Sequence, residues 1–320
     1  MSMLFSAMAR ANLACWSQPA GTASNRSCLH HLEDNDYNWT ACESAHWSRV
    51  TLTLLTCLCG LVGNGAVLWC LSSCALRNPS TIYVLNLAVA NLTFLLSITI
   101  ALVIFYGSES LCHTLGSQDV STVLNITILF TFSAGVYLLT ALSAMTSLSI
   151  LPLTCCPCHS SWHLPVLTCA LLWAFSFLLT ISLYFCPAAL MLFILSYFFS
   201  VLTLVISALT LLARLLCSSQ QYPPKKLCVV LLLAVVFFCF LTPDFGYWLL
   251  LRLFDFSVFV FAASVPLACV NSSIQPLLYF LVGSCANKFT FSVKVAFQEA
   301  FEGIGPQKRG GAPKDHTVQT

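Results

Sequence analysis

Long apolar runs separated by short polar breaks fill most of the chain, and seven of them are long enough to cross a membrane. A hydrocarbon core about 30 Å thick takes roughly 20 apolar residues in a helix. The pattern predicts spans over Val50 to Cys74, Thr81 to Tyr106, Val120 to Thr154, Leu164 to Phe185, Ala188 to Leu216, Leu227 to Leu253 and Ser257 to Gly283. The stretch from Leu164 to Leu216 holds one charge, Arg214. Its helical length of about 80 Å is too long for one crossing and sufficient for two with a tight turn. Cys186-Pro187 is the best break, because proline lacks a backbone donor and fixes φ.

The expected fold is therefore all-α: a seven-transmembrane helix bundle with a short C-terminal interfacial helix. The division is a tail over 1–49, the bundle over 50–285, an amphipathic interfacial helix over 286–303 and a disordered cytoplasmic tail over 304–320. In the interfacial segment Phe289, Val293, Phe297 and Phe301 lie among Lys288, Lys294, Gln298 and Glu299, which suits a helix lying on the inner leaflet. The last segment, rich in Gly, Pro and Lys, has too little apolar surface to fold.

Composition agrees with the pattern. Of 320 residues 58% are hydrophobic and 8% charged, where a soluble domain has about 25% charged residues, so most of the outer surface faces lipid. A net charge of +2 leaves no footprint for nucleic acid. The positions of the few charges set a topology, since Lys and Arg in short loops favour the cytoplasm. With the N-terminus outside, the inner segments carry nine bases against three acids and the outer segments four bases against eight acids. The reverse topology inverts that difference. The first 46 residues lack the basic start and short apolar core of a cleavable signal peptide, so the first span is expected to act as the targeting signal. In the tail, Asn25-Arg-Ser and Asn38-Trp-Thr are candidate glycosylation sites at Asn25 and Asn38, whereas the sequons at Asn91, Asn125 and Asn271 fall within spans.

Most of the 18 cysteines lie in apolar runs, where Cys acts as a small hydrophobe. Cys15, Cys28, Cys42 and Cys112 are the candidates for bridges outside the membrane. Cys155-Cys156-Pro157-Cys158-His159 and His163 have a zinc-like spacing without the roughly twelve-residue separation of zinc modules, so no metal is assigned. Juxtamembrane thiols suit palmitoylation, with Cys285 a candidate lipidation site. No nucleophile, acid and base stand at catalytic spacing, and no glycine loop cradles phosphate. The reading is a non-enzyme without a cofactor.

Polar side chains at membrane depth carry the remaining chemistry. Asn64, Asn91, Asn271 and Gln275 are expected to face the bundle and bond one another, because an unsatisfied polar group in hydrocarbon costs several kcal/mol. Such amides serve as structural glue or as a switch, and the sequence leaves both open. Pro243 and Pro276 free backbone carbonyls and kink their helices. Asp244, beside Pro243, needs a partner or a water-filled cavity. It either pairs with Arg252 or contacts a cationic ligand. Tyr247, Trp248, Phe105 and Asp119 are candidate neighbours at the same mouth, although interfacial aromatics also serve as anchors.

Gly63 to Val67, Arg77 to Leu92 and Asn271 to Ser284 together resemble the Mas-related branch of the rhodopsin-like G-protein-coupled receptors. Gly63-Asn64-Gly65-Ala66-Val67 looks like the GNxxV element of the first span. Arg77-Asn78-Pro79-Ser80-Thr81 and the following residues to Leu92 resemble the first inner loop and second span. Cys169 to Ala174, Leu211 to Cys217, Asn271 to Ser284 and Phe297-Gln298-Glu299-Ala300 are similar to later elements of the same branch, in the same order. The resemblance covers about Thr51 to Glu302. It implies a divergent receptor in the plasma membrane, with an extracellular ligand, heterotrimeric G proteins and membrane lipid as partners. It also implies an activation network containing Asn64, Asn91, Asn271, Gln275, Pro276, Tyr279 and Thr146. Basic or amphipathic small molecules and peptides are the ligand class of the branch, which suits the acidic outer face.

Departures from that pattern are equally specific. Where the family has an acidic-Arg-aromatic or Glu-Arg-Cys triplet, the corresponding stretch here reads Ser143-Ala144-Met145-Thr146-Ser147, without acid or base. Asn91 replaces the second-span aspartate and so lacks the fixed charge a sodium ion requires. The NPxxY element reads Gln275-Pro276-Leu277-Leu278-Tyr279, and the third span opens Asp119-Val120-Ser121 without the usual cysteine. The leading reading is an orphan receptor that activates G proteins. Its alternatives are a signalling-deficient receptor-like protein that modulates partner receptors, and a membrane transporter, against which the absence of an internal repeat argues.

Overall fold

The computed structural model describes residues 29–72, 79–106, 118–150, 163–217, 225–242, 245 and 264–286, with the backbone alone at 29–47 and at several helix ends. Among them the elements are α1 (Leu29–Ser72), α2 (Pro79–Tyr106), α3 (Gln118–Ile150), α4 (His163–Phe185), a 3-10 turn (Pro187–Ala189), α5 (Leu190–Cys217), α6 (Lys225–Leu241) and α7 (Ser264–Ala286). Among the described residues six helices are long and apolar enough to cross a membrane, and a further apolar helix, Lys226–Leu241, is shorter. Pro243 and residues 246–263 lie outside the described residues, as does the expected interfacial helix beyond Ala286. The chain divides within α1 into two units, Met1–Thr53 and Leu54–Thr320. In the first, the Thr53 hydroxyl donates to the Arg49 carbonyl at 2.8 Å.

Hydropathy locates the helices closely, with one instructive difference. The apolar run begins at Val50, yet α1 starts at Leu29. Hydropathy marks which residues tolerate lipid, whereas backbone hydrogen bonding continues through polar sequence. The break between the fourth and fifth spans falls where proline placed it. The Cys186 N–H closes α4 on the Ser182 carbonyl at 2.8 Å, and the Ala189 N–H then donates to the Cys186 carbonyl at 2.9 Å. Pro187 has no N–H to lose at this position.

In the second unit α3 is the central element. It packs on α2, α4 and α5, while α6 packs on α5 and α7. Two-thirds of its crossing is buried, against 22% for α5. Phe198, Phe199 and Leu209 of α5 and Phe177 and Leu178 of α4 are exposed. Such an apolar outer face fits lipid as its surroundings. Hydroxyls along these spans are satisfied by their own helices: Thr93, Thr127, Thr140, Thr168 and Thr203 each donate to the carbonyl four residues earlier. The cysteines whose side chains are described are free thiols, and Cys57, Cys169, Cys228 and Cys269 are buried.

Specific side-chain bonds fix the helices against one another. The Trp173 indole N–H of α4 donates to Asn86 Oδ1 of α2 at 3.0 Å. The Ser176 hydroxyl donates to the Phe130 carbonyl of α3 at 2.9 Å, and the Tyr137 and Ser196 hydroxyls lie 2.8 Å apart between α3 and α5. On α1, a methyl at Gly60 would collide with Ser273 and approach Leu95 Cδ1 to 2.6 Å. Only glycine allows that backbone approach.

Candidate functional site

The polar centre of the bundle is built from helices α1, α2 and α7. Asn91 Nδ2 donates to Gln275 Oε1 at 2.7 Å. Asn64 Nδ2 donates to the Gly60 carbonyl of its own helix at 2.8 Å and to the Ser272 carbonyl of α7 at 3.2 Å. The Ser273 hydroxyl donates to the Thr56 carbonyl at 3.1 Å, adding a second bond from α7 to α1. All four amide side chains are buried. The expectation that they bond one another is therefore met for Asn91 and Gln275. Asn64 instead bonds backbone carbonyls, and Asn271 Oδ1 has no hydrogen-bond partner. The carbonyl of Ser272 lies four residues before Pro276, which has no N–H to donate to it, so the Asn64 amide takes the proline's missing place.

Asn91, Asn271, Ser272, Gln275, Thr131 and Gly135 border a cavity of about 20 Å³. Phe94, Phe132 and Phe238 bound the same cavity. Beside it, aromatic rings close the bundle. Phe132 of α3 meets Phe245 at 4.9 Å between ring centroids and Phe94 of α2 at 6.2 Å. Phe94 and Phe245 complete the triangle edge to face at 5.7 Å, and Tyr197 of α5 stacks near Phe132 at 6.5 Å. Sequence reading missed this cluster, because Phe is common throughout the spans and nothing distinguishes an inward ring from a lipid-facing one. Gly135 was missed for a related reason. One small residue in an apolar run announces a cavity only when its neighbours are known.

The resemblance places a sodium ion near Asn91. The cavity's lining contains no carboxylate, and buried amide and hydroxyl oxygens do not compensate an ion taken from water. These residues do not fit the ion.

Near the end of α3, Thr146 is buried and donates to the Leu142 carbonyl of its own helix at 2.8 Å. Ser147 and Ser149 likewise bond the carbonyls of Ala144 and Thr146. These three hydroxyls bond within their own helix, at the place where the resemblance led one to seek a triplet arginine. Tyr279 and Pro276 lie on α7, with Tyr279 buried and Gly63 of α1 lying so close that an added methyl would stand 3.1 Å from Pro276.

Of the expected ligand contacts, Asp244, Tyr247 and Trp248 lie outside the described residues. Phe105 and Asp119 stand at the ends of α2 and α3, with their side chains undescribed. Asn25 also lies outside; Asn38 is on α1 and Cys285 on the last turn of α7, again by backbone alone. The spacing from Cys155 to His159 is outside the described residues.

Comparison with known proteins accounts for this combination of apolar helices and central amides. No family model matches the chain. Mas-related G-protein coupled receptor member A1 of Mus musculus is 34% identical over 275 residues, covering 77% of this chain and 86% of that receptor. Mas-related G-protein coupled receptor member H of Rattus norvegicus is 33% identical over 310 residues, 89% of this chain and 92% of the relative. Proto-oncogene Mas of Rattus norvegicus is 29% identical, covering 86% of this chain and 89% of the relative. With identity at this level across nearly the whole bundle, the chain belongs to the Mas-related G-protein-coupled receptor family.

Proposed function

We propose that this multi-pass plasma-membrane receptor has seven spans with its N-terminus outside, takes a cationic small molecule or peptide at its outer end and activates heterotrimeric G proteins. The observation that carries this reading is the bond from Asn91 to Gln275, which joins α2 to α7 beside a cavity in the middle of the bundle. A two-state receptor needs such a joint: polar partners that can be exchanged at small cost when a ligand favours another packing. The outer excess of acids supports both the orientation and the ligand's charge. Asp244, with Tyr247, Trp248, Phe105 and Asp119, is assigned to the ligand mouth, Asn25 and Asn38 to glycosylation, and Cys285 to lipid anchoring. The amphipathic segment over 286–303 rests on the inner leaflet.

A second reading has its own observation. Thr146 is buried and bonded to its own helix, where the family resemblance calls for an arginine. On that reading the protein reaches the surface, couples weakly or not at all, and modulates partner receptors. G-protein activation, measured at rest and across a panel of amphipathic cations with surface expression in parallel, decides between them. Activation that Asp244→Asn weakens without loss of expression supports the leading reading. Normal surface expression with silence across every G-protein family overturns it in favour of the second.

A further inference from the structure

We propose that Tyr197 of α5 positions Asp244 for a cationic ligand, by holding the chain on both sides of that acid. The inference rests on the reading of Asp244 as a ligand contact and adds the residue that sets where it stands. In the chain, Pro243 and Asp244 lie between Thr242 and Phe245. Thr242 follows the last residue of α6 and is only 1% exposed, and Phe245 is fully buried. The Thr242 hydroxyl donates to the Phe238 carbonyl at 2.6 Å, and the Phe245 N–H donates to the Thr242 carbonyl at 3.2 Å. The two flanks of the acid are thereby tied to α6 and to each other.

Tyr197 reaches both flanks. Its hydroxyl is in hydrogen-bond contact with the Thr242 side chain. Thr242 Oγ1 directs its own proton to Phe238, so its lone pairs are free to accept the proton of Tyr197. A phenol hydroxyl among apolar rings needs such a partner, because an unmade hydrogen bond is costly there. The Tyr197 ring stacks near Phe132 at 6.5 Å, and Phe132 meets Phe245 at 4.9 Å, so the ring supports the second flank through one intermediate. Tyr197 is itself held. Its ring lies parallel to that of Phe193 one turn earlier on α5, with centroids 6.4 Å apart. The neighbouring Ser196 hydroxyl lies 2.8 Å from that of Tyr137, which fixes the rotation of α5 about its own axis against α3. A group that must meet a ligand in one geometry needs support from residues that are themselves locked, and Tyr197 supplies it from α5.

The test uses the full-length receptor at the cell surface, labelled with a trimethylammonium methanethiosulfonate, an impermeant cation that couples to accessible thiols, and read by site-resolved peptide mass spectrometry. Asp244→Cys reports the placement of position 244. Cys186, an exposed free thiol in the turn between α4 and α5, is the reference within the same molecule. Adding Tyr197→Phe, which removes only the hydroxyl, is expected to change the labelling rate at position 244 relative to Cys186 by about two- to tenfold, the shift that loss of one hydrogen bond permits. Thr242→Val is expected to do the same, and combining it with Tyr197→Phe to add little, since both remove one bond. A general loosening of the fold moves both thiols together and leaves their ratio unchanged. An unchanged ratio, or additive effects of the two substitutions, overturns the positioning role of Tyr197 and leaves Asp244 at the mouth. Absence of labelling at position 244 in every background overturns the assignment of Asp244 to the mouth, and the role of Tyr197 with it.

Discussion

Asn91 Nδ2 lies 2.7 Å from Gln275 Oε1 and joins α2 to α7 across 184 positions of chain. Both side chains are buried, and Gln275 stands directly before the proline of α7. Hydrogen bonds between membrane helices average about 0.6 kcal/mol and reach about 1.7 kcal/mol, because polar groups in the unfolded state also find partners. A double-mutant cycle of Asn91→Leu and Gln275→Leu, read by unfolding in bilayer discs, is expected to give a coupling energy of about 1 kcal/mol. Additive single changes would mean that the two amides are stabilised by their surroundings and not by each other.

Gly60→Ala is expected to destabilise the protein by about 1–3 kcal/mol through overpacking. Its added methyl collides with Ser273 and with Leu95, and the Ser273 hydroxyl is held by Thr56. Gly65→Ala is the control, because nothing lies within 4 Å of its Cβ position. That change replaces a poor helix former and is expected to be neutral or stabilising by up to about 1 kcal/mol. Equal midpoints for the two variants would refute the close approach at Gly60.

Trp173→Phe retains an aromatic ring near Phe130, whose centroid lies 5.4 Å from Trp173, but removes the indole bond to Asn86. The expected loss is about 0.5–1.5 kcal/mol. Trp173→Ala removes the ring as well and, because the ring is half-buried, is expected to cost more than Trp173→Phe but less than the roughly 3–5 kcal/mol of a fully buried aromatic. Comparable losses in the two variants would assign the stabilisation to the hydrogen bond rather than to packing.

Phe132→Ala opens the centre of the aromatic cluster, where Phe94, Tyr197 and Phe245 all meet Phe132. A fall of about 3–5 kcal/mol is expected. Phe198→Ala is the comparison: Phe198 is 60% exposed on α5, and its expected cost is below about 1 kcal/mol because lipid replaces the lost contact. The ratio of the two changes in unfolding midpoint checks which side of the helix layer carries the core.

Thr146→Val removes a hydroxyl that bonds the Leu142 carbonyl of its own helix, and is expected to alter stability by less than about 0.5 kcal/mol. Thr146→Arg introduces a cation at the position where the family carries its triplet arginine. If the missing charge limits coupling, that variant will raise G-protein activation above native at equal surface expression. No increase would place the limit elsewhere.

Much of the fold was legible because lipid imposes a simple rule on composition and length. The end of α4 at Phe185, the proline break at Pro187 and the start of α6 near Leu227 all follow from apolar run length and one missing N–H. The polar extension of α1 from Leu29 did not, since hydropathy does not count backbone hydrogen bonds. At the site, the depth and burial of Asn64, Asn91, Asn271 and Gln275 were readable from their cost in hydrocarbon. Their partners were not. Asn64 bonds the carbonyl that Pro276 leaves open, and Asn271, whose Oδ1 has no partner, borders the same cavity as Gly135.

The sequence by itself determined that this is a helical membrane protein of the Mas-related kind, and which of its few polar residues must turn inward. Local composition suffices for that, because each buried polar group is costly wherever it sits. Pairing of Asn91 with Gln275, the close approach of Gly60 to Ser273 and the aromatic closure around Phe132 were decided only by tertiary structure. These depend on the rotation and separation of helices far apart in the chain. Many faces of an apolar helix are equally acceptable to lipid, and only packing against the neighbouring helices selects one.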